Sequence, residues 1–169
     1  RPLSPASLFG FTKDVQAFVN FIATTLAPDD WRNPTRKLQL RHPQVIIRPL
    51  SPTQVEKLLE IAETQAVTQL LKARNKALLY VLLDGALRIS ELLSATRQRL
   101  AEDGILRVLG KGQKEREVAL SDRTLEAIAE YMGLRKDSSP FLMVTDCGSP
   151  LTYEAVKSIF QRWKRAAPQ

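Results

Sequence analysis

Apolar residues return every three or four positions through residues 7–26, SLFGFTKDVQAFVNFIATTL. That spacing puts Phe11, Val15, Phe18 and Ile22 on one face of a predicted helix, which Pro28 stops. Residues 29–50, DDWRNPTRKLQLRHPQVIIRPL, lose the periodicity and gain prolines and basic side chains, the texture of a linker. Ser51-Pro52-Thr53-Gln54 then supplies a capping serine, a first-turn proline and a glutamine at the third helical position. The helix it starts presents Val55, Leu58, Leu59 and Ala62 on one side. A longer helix is expected from about Thr68 through Leu83, apolar at Leu71, Leu78, Leu79 and Leu82, with Lys72, Arg74 and Lys76 grouped near its start. A short one follows over Arg88 to Leu93.

Gly104 changes the period. ILRVL and REVAL are strand-like runs around GKGQKE, the pattern of a β-hairpin. Ser121 caps a further helix expected to carry Leu125, Ile128, Ala129 and Met132 inward. PFLMV, residues 140–144, looks like a short strand and DCGSP like a turn. Thr152 caps a last helix with Val156, Ile159, Phe160 and Trp163 as its stripe. The expected fold is mainly α with a small antiparallel β-sheet, an α+β arrangement. No internal repeat or low-complexity tract interrupts it.

A chain of 169 residues holds one good-sized core, or one domain and part of another. Its 44% hydrophobic and 25% charged residues are those of a globular protein, and no apolar run reaches a membrane span of about 18 residues. Charge changes the picture more. Twenty-five Lys and Arg against 18 Asp and Glu give +7 and a pI near 9.8. That excess favours a polyanionic partner, nucleic acid first and an acidic membrane surface second, unless it is merely incidental to solubility. Cys147 is the only cysteine, so neither an internal disulfide nor a cysteine-based zinc site forms within the chain. An intracellular, reducing setting fits. The opening RPLSPASLFGF has no initiator methionine and no signal pattern, and the chain is expected to be part of a longer protein.

Two places draw attention as chemistry. Arg88 stands among Leu87, Ile89, Leu92 and Leu93, with Glu91 three residues on. The pair is either a helix-surface ion pair or a rigid guanidinium, half neutralised by its carboxylate and still able to fork onto phosphate oxygens. Gly110-Lys111-Gly112 lacks the spacing of a phosphate-cradling P-loop. It is either an ordinary hairpin turn with a solvated lysine or, with Lys114 and Arg116 close behind, a basic tip that enters a DNA groove.

GALRISELL, followed by a strand and GKGQKEREVAL, resembles the catalytic domain of the tyrosine site-specific recombinases, the lambda-integrase and Xer-like family. Arg88 matches the first catalytic arginine of the family's G-L-R-I-S-E-L box, and Lys111 the hairpin lysine of its G-K-G-x-K-E-R pattern. RPLSPTQVEKLLE resembles the join between the family's core-binding and catalytic domains. PLTYEAVKSIFQRWKRAA resembles the helix before its His-x-x-Arg box.

The resemblance implies a division into 1–28, the end of a core-binding domain, 29–50, an interdomain linker, and 51–169, the front of a catalytic domain. It implies DNA cleavage and rejoining through a 3′-phosphotyrosyl link, in which arginines neutralise the phosphate and Lys111 protonates the leaving 5′-oxygen. Arg88 and Lys111 are then catalytic, with Glu91 in support. Lys114, Arg116, Arg41, Arg48, Lys72, Arg74 and Lys76 are candidate DNA contacts. No cofactor and no metal are called for. The implied partner is duplex DNA, with the whole protein acting as a tetramer on paired sites, away from membranes, in the cytoplasm at the nucleoid.

The chain also departs from the pattern. It stops before the His-x-x-Arg box, its one histidine is His42 in the linker, and Arg97-Gln98-Arg99 stands where many relatives carry an acid. Tyr80, Tyr131 and Tyr153 all precede the expected nucleophile and are read as structural, and Cys147 lacks a histidine to activate it. The piece alone is therefore expected to bind DNA without cutting it. The rival readings are a noncatalytic DNA- or RNA-binding module and a protein-interaction domain.

Overall fold

A computed structural model describes residues 2–38, 44, 49–110, 112 and 114–167. The chain divides into two compact units, Arg1–Pro49 and Leu50–Gln169.

The first unit is built on α1, Pro5–Thr25. Ser4 caps it by accepting the Ser7 N–H at 3.1 Å, and Pro5 enters where its missing N–H costs nothing. After α1 the chain turns back, and the Asn33 side-chain amide donates to Asn20 Oδ1 at 2.7 Å. Phe11, Val15 and Phe18 are exposed, and no residue of α1 is buried.

The second unit carries the core. Its elements are α2 Pro52–Thr64, α3 Gln69–Gly85, α4 Ile89–Ser94, β1 Ile105–Leu109, β2 Glu115–Ala119, α5 Asp122–Leu134 and α6 Tyr153–Ala166. The expected capping box at Ser51 forms in both directions, at 3.2 Å to the Gln54 N–H and 2.9 Å from Ser51 N–H to Gln54 Oε1. Thr68 and Thr152 cap α3 and α6 through their side chains alone, accepting from the Leu71 and Ala155 N–H groups. The sheet is one antiparallel hairpin, β1 with β2, in the register Leu106↔Val118 and Val108↔Arg116. Helix α3 packs on α5, and Leu78, Leu79, Val81, Tyr131, Leu142, Val156 and Trp163 fill the space between the helices. The architecture is mainly helical with a small antiparallel sheet, as expected.

Two local expectations change. Residues 140–144 make single bridges, Thr96↔Phe141 and Val144↔Pro150, instead of a strand. Leu142, Met143 and Val144 are buried three in a row, so the segment plugs the core and has no solvent face to alternate with. Helix α5 is also rotated from the expected stripe. Thr124, Ala127, Ile128 and Tyr131 face inward, while Ala129 is exposed. Its N-terminus is held by Asp84 at the end of α3, which accepts from the Ser121 N–H at 2.6 Å and from the Thr124 hydroxyl at 2.9 Å.

Candidate active site

The turn after α3 sets the site. Ala86 adopts φ 45°, ψ 39°, a left-handed conformation that side chains resist, and ends the helix abruptly. Leu87 then buries, and Arg88 becomes the N-cap of α4 with extended backbone. Arg88 was expected to sit among apolar neighbours. Instead its side chain is 67% exposed, and the group taken inside is Glu91, at 2%. A helix start explains the inversion. Leu92 and Glu91 turn inward with α4, while the capping position lies outside the helix and points away from the core.

Glu91 is satisfied from three directions. Its Oε2 accepts the Arg88 backbone N–H at 3.0 Å, its Oε1 accepts Arg88 Nη1 at 2.7 Å, and Arg116 Nη2 reaches Oε2 from β2 at 3.0 Å. The bond from the Arg88 backbone, aided by the two guanidiniums, holds the carboxyl near pKa 2, against the pull of burial toward the neutral form. Gly110 closes this corner. Its N–H donates to the Lys114 carbonyl at 2.8 Å, and a side chain there would meet that carbonyl at 3.3 Å and Glu91 Oε1 at 3.7 Å. The arrangement is a carboxylate sealed beneath two guanidiniums, that of Arg88 the more exposed of the two. It can orient an anion through fixed donors, since Arg88 cannot swing away without breaking its bond to Glu91.

The remaining sequence candidates separate. Lys111, Arg41 and Arg48 lie outside the described residues. Lys114 is exposed on the hairpin and Lys72 is exposed on α3. Lys76 is held by Glu130 at 3.0 Å, a bond that raises its pKa. Arg74 is a correction: it is 6% exposed, and its guanidinium bonds to Asn75 Oδ1 at 2.9 Å and toward the Val144 carbonyl at 3.5 Å. It ties α3 to the plug at 141–144 and leaves the candidate DNA surface. Its position four residues before buried Leu78 was the available signal. Arg97 and Arg99 pair with Asp137 at 3.2 Å and Glu115 at 3.4 Å.

The tyrosines differ from one another. Tyr131 is fully buried and its hydroxyl oxygen accepts the Val144 N–H at 3.1 Å. Tyr80 lies under the Arg123 guanidinium, 4.8 Å from its ring centroid. Tyr153 is 57% exposed and, with Ile89, Lys157 and Phe160, lines an open hollow of about 280 Å³. Replacing Tyr131 with Phe strands a buried N–H and is expected to cost about 1–3 kcal/mol, seen as a lower urea midpoint with unchanged slope. Among the described residues no cluster of three metal-binding side chains occurs, and no helix is long and apolar enough to cross a membrane.

The phage integrase family model matches residues 48–168, most of the chain. The chain belongs to that family. Within it the relatives are tyrosine recombinases. The chain is 34% identical to the tyrosine recombinase XerC of Erythrobacter litoralis over 143 residues, which is 83% of this chain and 46% of that protein. It is 36% identical to XerD of Vibrio cholerae over 91 residues, 53% of this chain and 29% of the relative. The chain thus spans about half the length of the curated relatives it matches, or less. Among solved structures, the Tn1549 transposon integrase in complex with a circular intermediate DNA aligns with TM-score 0.75 at 21% identity, covering 97% of this chain and 59% of that one. A lambda integrase tetramer bound to a Holliday junction aligns at 0.70 and 15%, covering 97% and 47%. At these identities the structures establish a shared fold.

Proposed function

We propose that the chain is the DNA-engaging part of a tyrosine recombinase, the whole protein cutting and rejoining DNA through a 3′-phosphotyrosyl intermediate. The observation that carries this reading is the Arg88 guanidinium, exposed to solvent yet pinned from beneath by a buried, ionised Glu91. A rigid donor set costs little reorganisation when negative charge grows on a phosphate, which is what phosphoryl transfer rewards. Arg88 neutralises the nonbridging oxygens, and Lys111, on the hairpin that follows, protonates the leaving 5′-oxygen. Glu91 orients Arg88. Lys72 and Lys114, with Arg41 and Arg48 from the 29–50 stretch of the sequence, hold the DNA backbone. The division 1–28, 29–50 and 51–169 is the accompanying domain reading, and assembly as a tetramer on paired sites the accompanying partner reading.

None of Tyr80, Tyr131 or Tyr153 serves as nucleophile in this account. The burial of Tyr131 and the cationic lid on Tyr80 support that for two of them. Tyr153 is exposed, so it is the one to test. Incubation of the chain with a nicked duplex that traps covalent intermediates should give no slow band on a denaturing gel. A band lost in Tyr153→Phe would contradict the account. In a fluorescence-anisotropy titration with duplex DNA, log K is expected to fall with log salt by about 0.9 per phosphate contact. A flat response would remove DNA from the reading.

A further inference from the structure

The alternation of the hairpin puts Arg116 where a core residue belongs. Leu106 pairs with Val118 and Val108 with Arg116, and Leu106, Val108 and Val118 are all buried. The intervening pair, Arg107 with Glu117, faces solvent and makes its own ion pair at 2.9 Å. Successive strand residues point to opposite sides, so Arg116 rises from the inner face. From there it reaches Glu91, a carboxylate that Arg88 already holds from α4, while its side chain stays 42% exposed.

Two guanidiniums on one carboxylate leave a net charge of +1. With only one arginine present the cluster would be neutral, and a carboxylate with both oxygens available would take the Arg88 fork in a bidentate grip. Here Oε2 is occupied by Arg116 and by the Arg88 backbone N–H, so the Arg88 side chain holds Oε1 alone, through Nη1. Among the described residues, its Nε and Nη2 make no hydrogen bond.

We propose that Arg116 is a positioning residue: by sharing Glu91 it keeps Arg88 on a single carboxylate oxygen, leaving the rest of that guanidinium and one uncompensated positive charge for a DNA phosphate. The proposal rests on the reading of Arg88 as a phosphate contact. It assigns Arg116 to the inner side of β2 against Glu91, where its side chain stays partly exposed.

The test uses the chain itself, with carbon-13-labelled glutamate carboxyls and a fluorescein-labelled duplex. Arg116→Ala should raise the Glu91 carboxyl from about 2 toward its ordinary 4.5, and weaken duplex affinity about tenfold at low salt. Arg116→Lys keeps a cation on the carboxylate and should restore most of both, which also guards against misfolding of the alanine variant. In a Glu91→Gln background, Arg116→Ala should cost only about two- to threefold, the effect of removing a nearby charge, because the carboxylate through which it positions Arg88 is gone. An equal loss in both backgrounds would mean that Arg116 touches DNA directly and would overturn the proposal. An unmoved Glu91 titration in both Arg116 variants would overturn it as well. If Arg88→Ala left affinity intact while Glu91 still responded to Arg116, the phosphate reading of Arg88 would fail and the sharing of Glu91 would stand.

Discussion

Arg88→Ala in the complete recombinase should lose on the order of 10² to 10³ in the rate of strand cleavage while melting close to the parent temperature. Both halves of that expectation come from geometry. The side chain is 67% exposed and contributes little packing, and Glu91 keeps Arg116 as a partner when Arg88 is shortened. The Arg88 backbone N–H, which an alanine retains, still caps α4 through Glu91. On the proposed function the rate falls because a preorganised donor has gone from the place where charge would develop. Lysine should rescue poorly, since an ammonium cannot hold Glu91 and a phosphate oxygen with the planar fork the site uses. Single-turnover cleavage and thermal melts on the same preparations read the two halves together.

Glu91→Gln should show the opposite balance, with stability and its acid dependence moving most. Glutamine keeps the shape but leaves two guanidiniums without a counter-charge and the Arg88 N–H with a weaker acceptor. The expected cost is about 2 kcal/mol at neutral pH, discounted because both arginines are partly in water. For a chain of this size that is a fall of roughly 4–8 °C in melting temperature. The sign of the pH dependence follows from the direction of the shift. Glu91 is held down from 4.5 to about 2, so its contribution is present above 4.5 and is lost as pH falls through that window. Asp137, held down from 3.8 to about 2 by Arg135, the Ser139 N–H and Arg97, adds a second loss at the lower end. Urea titrations from pH 6 to pH 2 should therefore slope steeply in the parent and more shallowly in Glu91→Gln. Parallel slopes would mean that Glu91 is not the buried, ionised group described.

What was legible in the sequence was local. Helix starts were read correctly at Ser51 and Thr152 because a cap is a contact between residues three apart. The hairpin was legible because its period changes at Gly104. The plug at 141–144 is not legible, because three consecutive buried residues look like a strand until their surroundings are known. The exposure of Arg88 is hidden for a related reason. Its apolar neighbours Leu87 and Leu92 are buried, but hydropathy does not say that the chain leaves the core between them.

The site itself was half visible. Arg88 and Glu91 were paired correctly from their spacing, with burial assigned to the wrong member. Composition groups Arg116 with Lys114 as a DNA-entering basic tip, while its parity with Val118 places it on the inner side of β2. Arg74 was grouped with Lys72 and Lys76 by composition, although helical spacing aligned it with Leu78 and Val81. What no local pattern carries is the meeting of α4 with β2 at Glu91, between residues 25 apart in sequence.

The central claim is a contact between the Arg88 guanidinium and a DNA phosphate. Its most direct measurement is the Arg88 Nε–Hε resonance of the nitrogen-15-labelled chain, assigned by its absence in Arg88→Lys, during titration with duplex DNA. The account predicts that this resonance shifts and slows its exchange with solvent as DNA saturates the chain, and returns as salt releases the DNA. A resonance that stays in place while the anisotropy of the same sample reports bound DNA would contradict it.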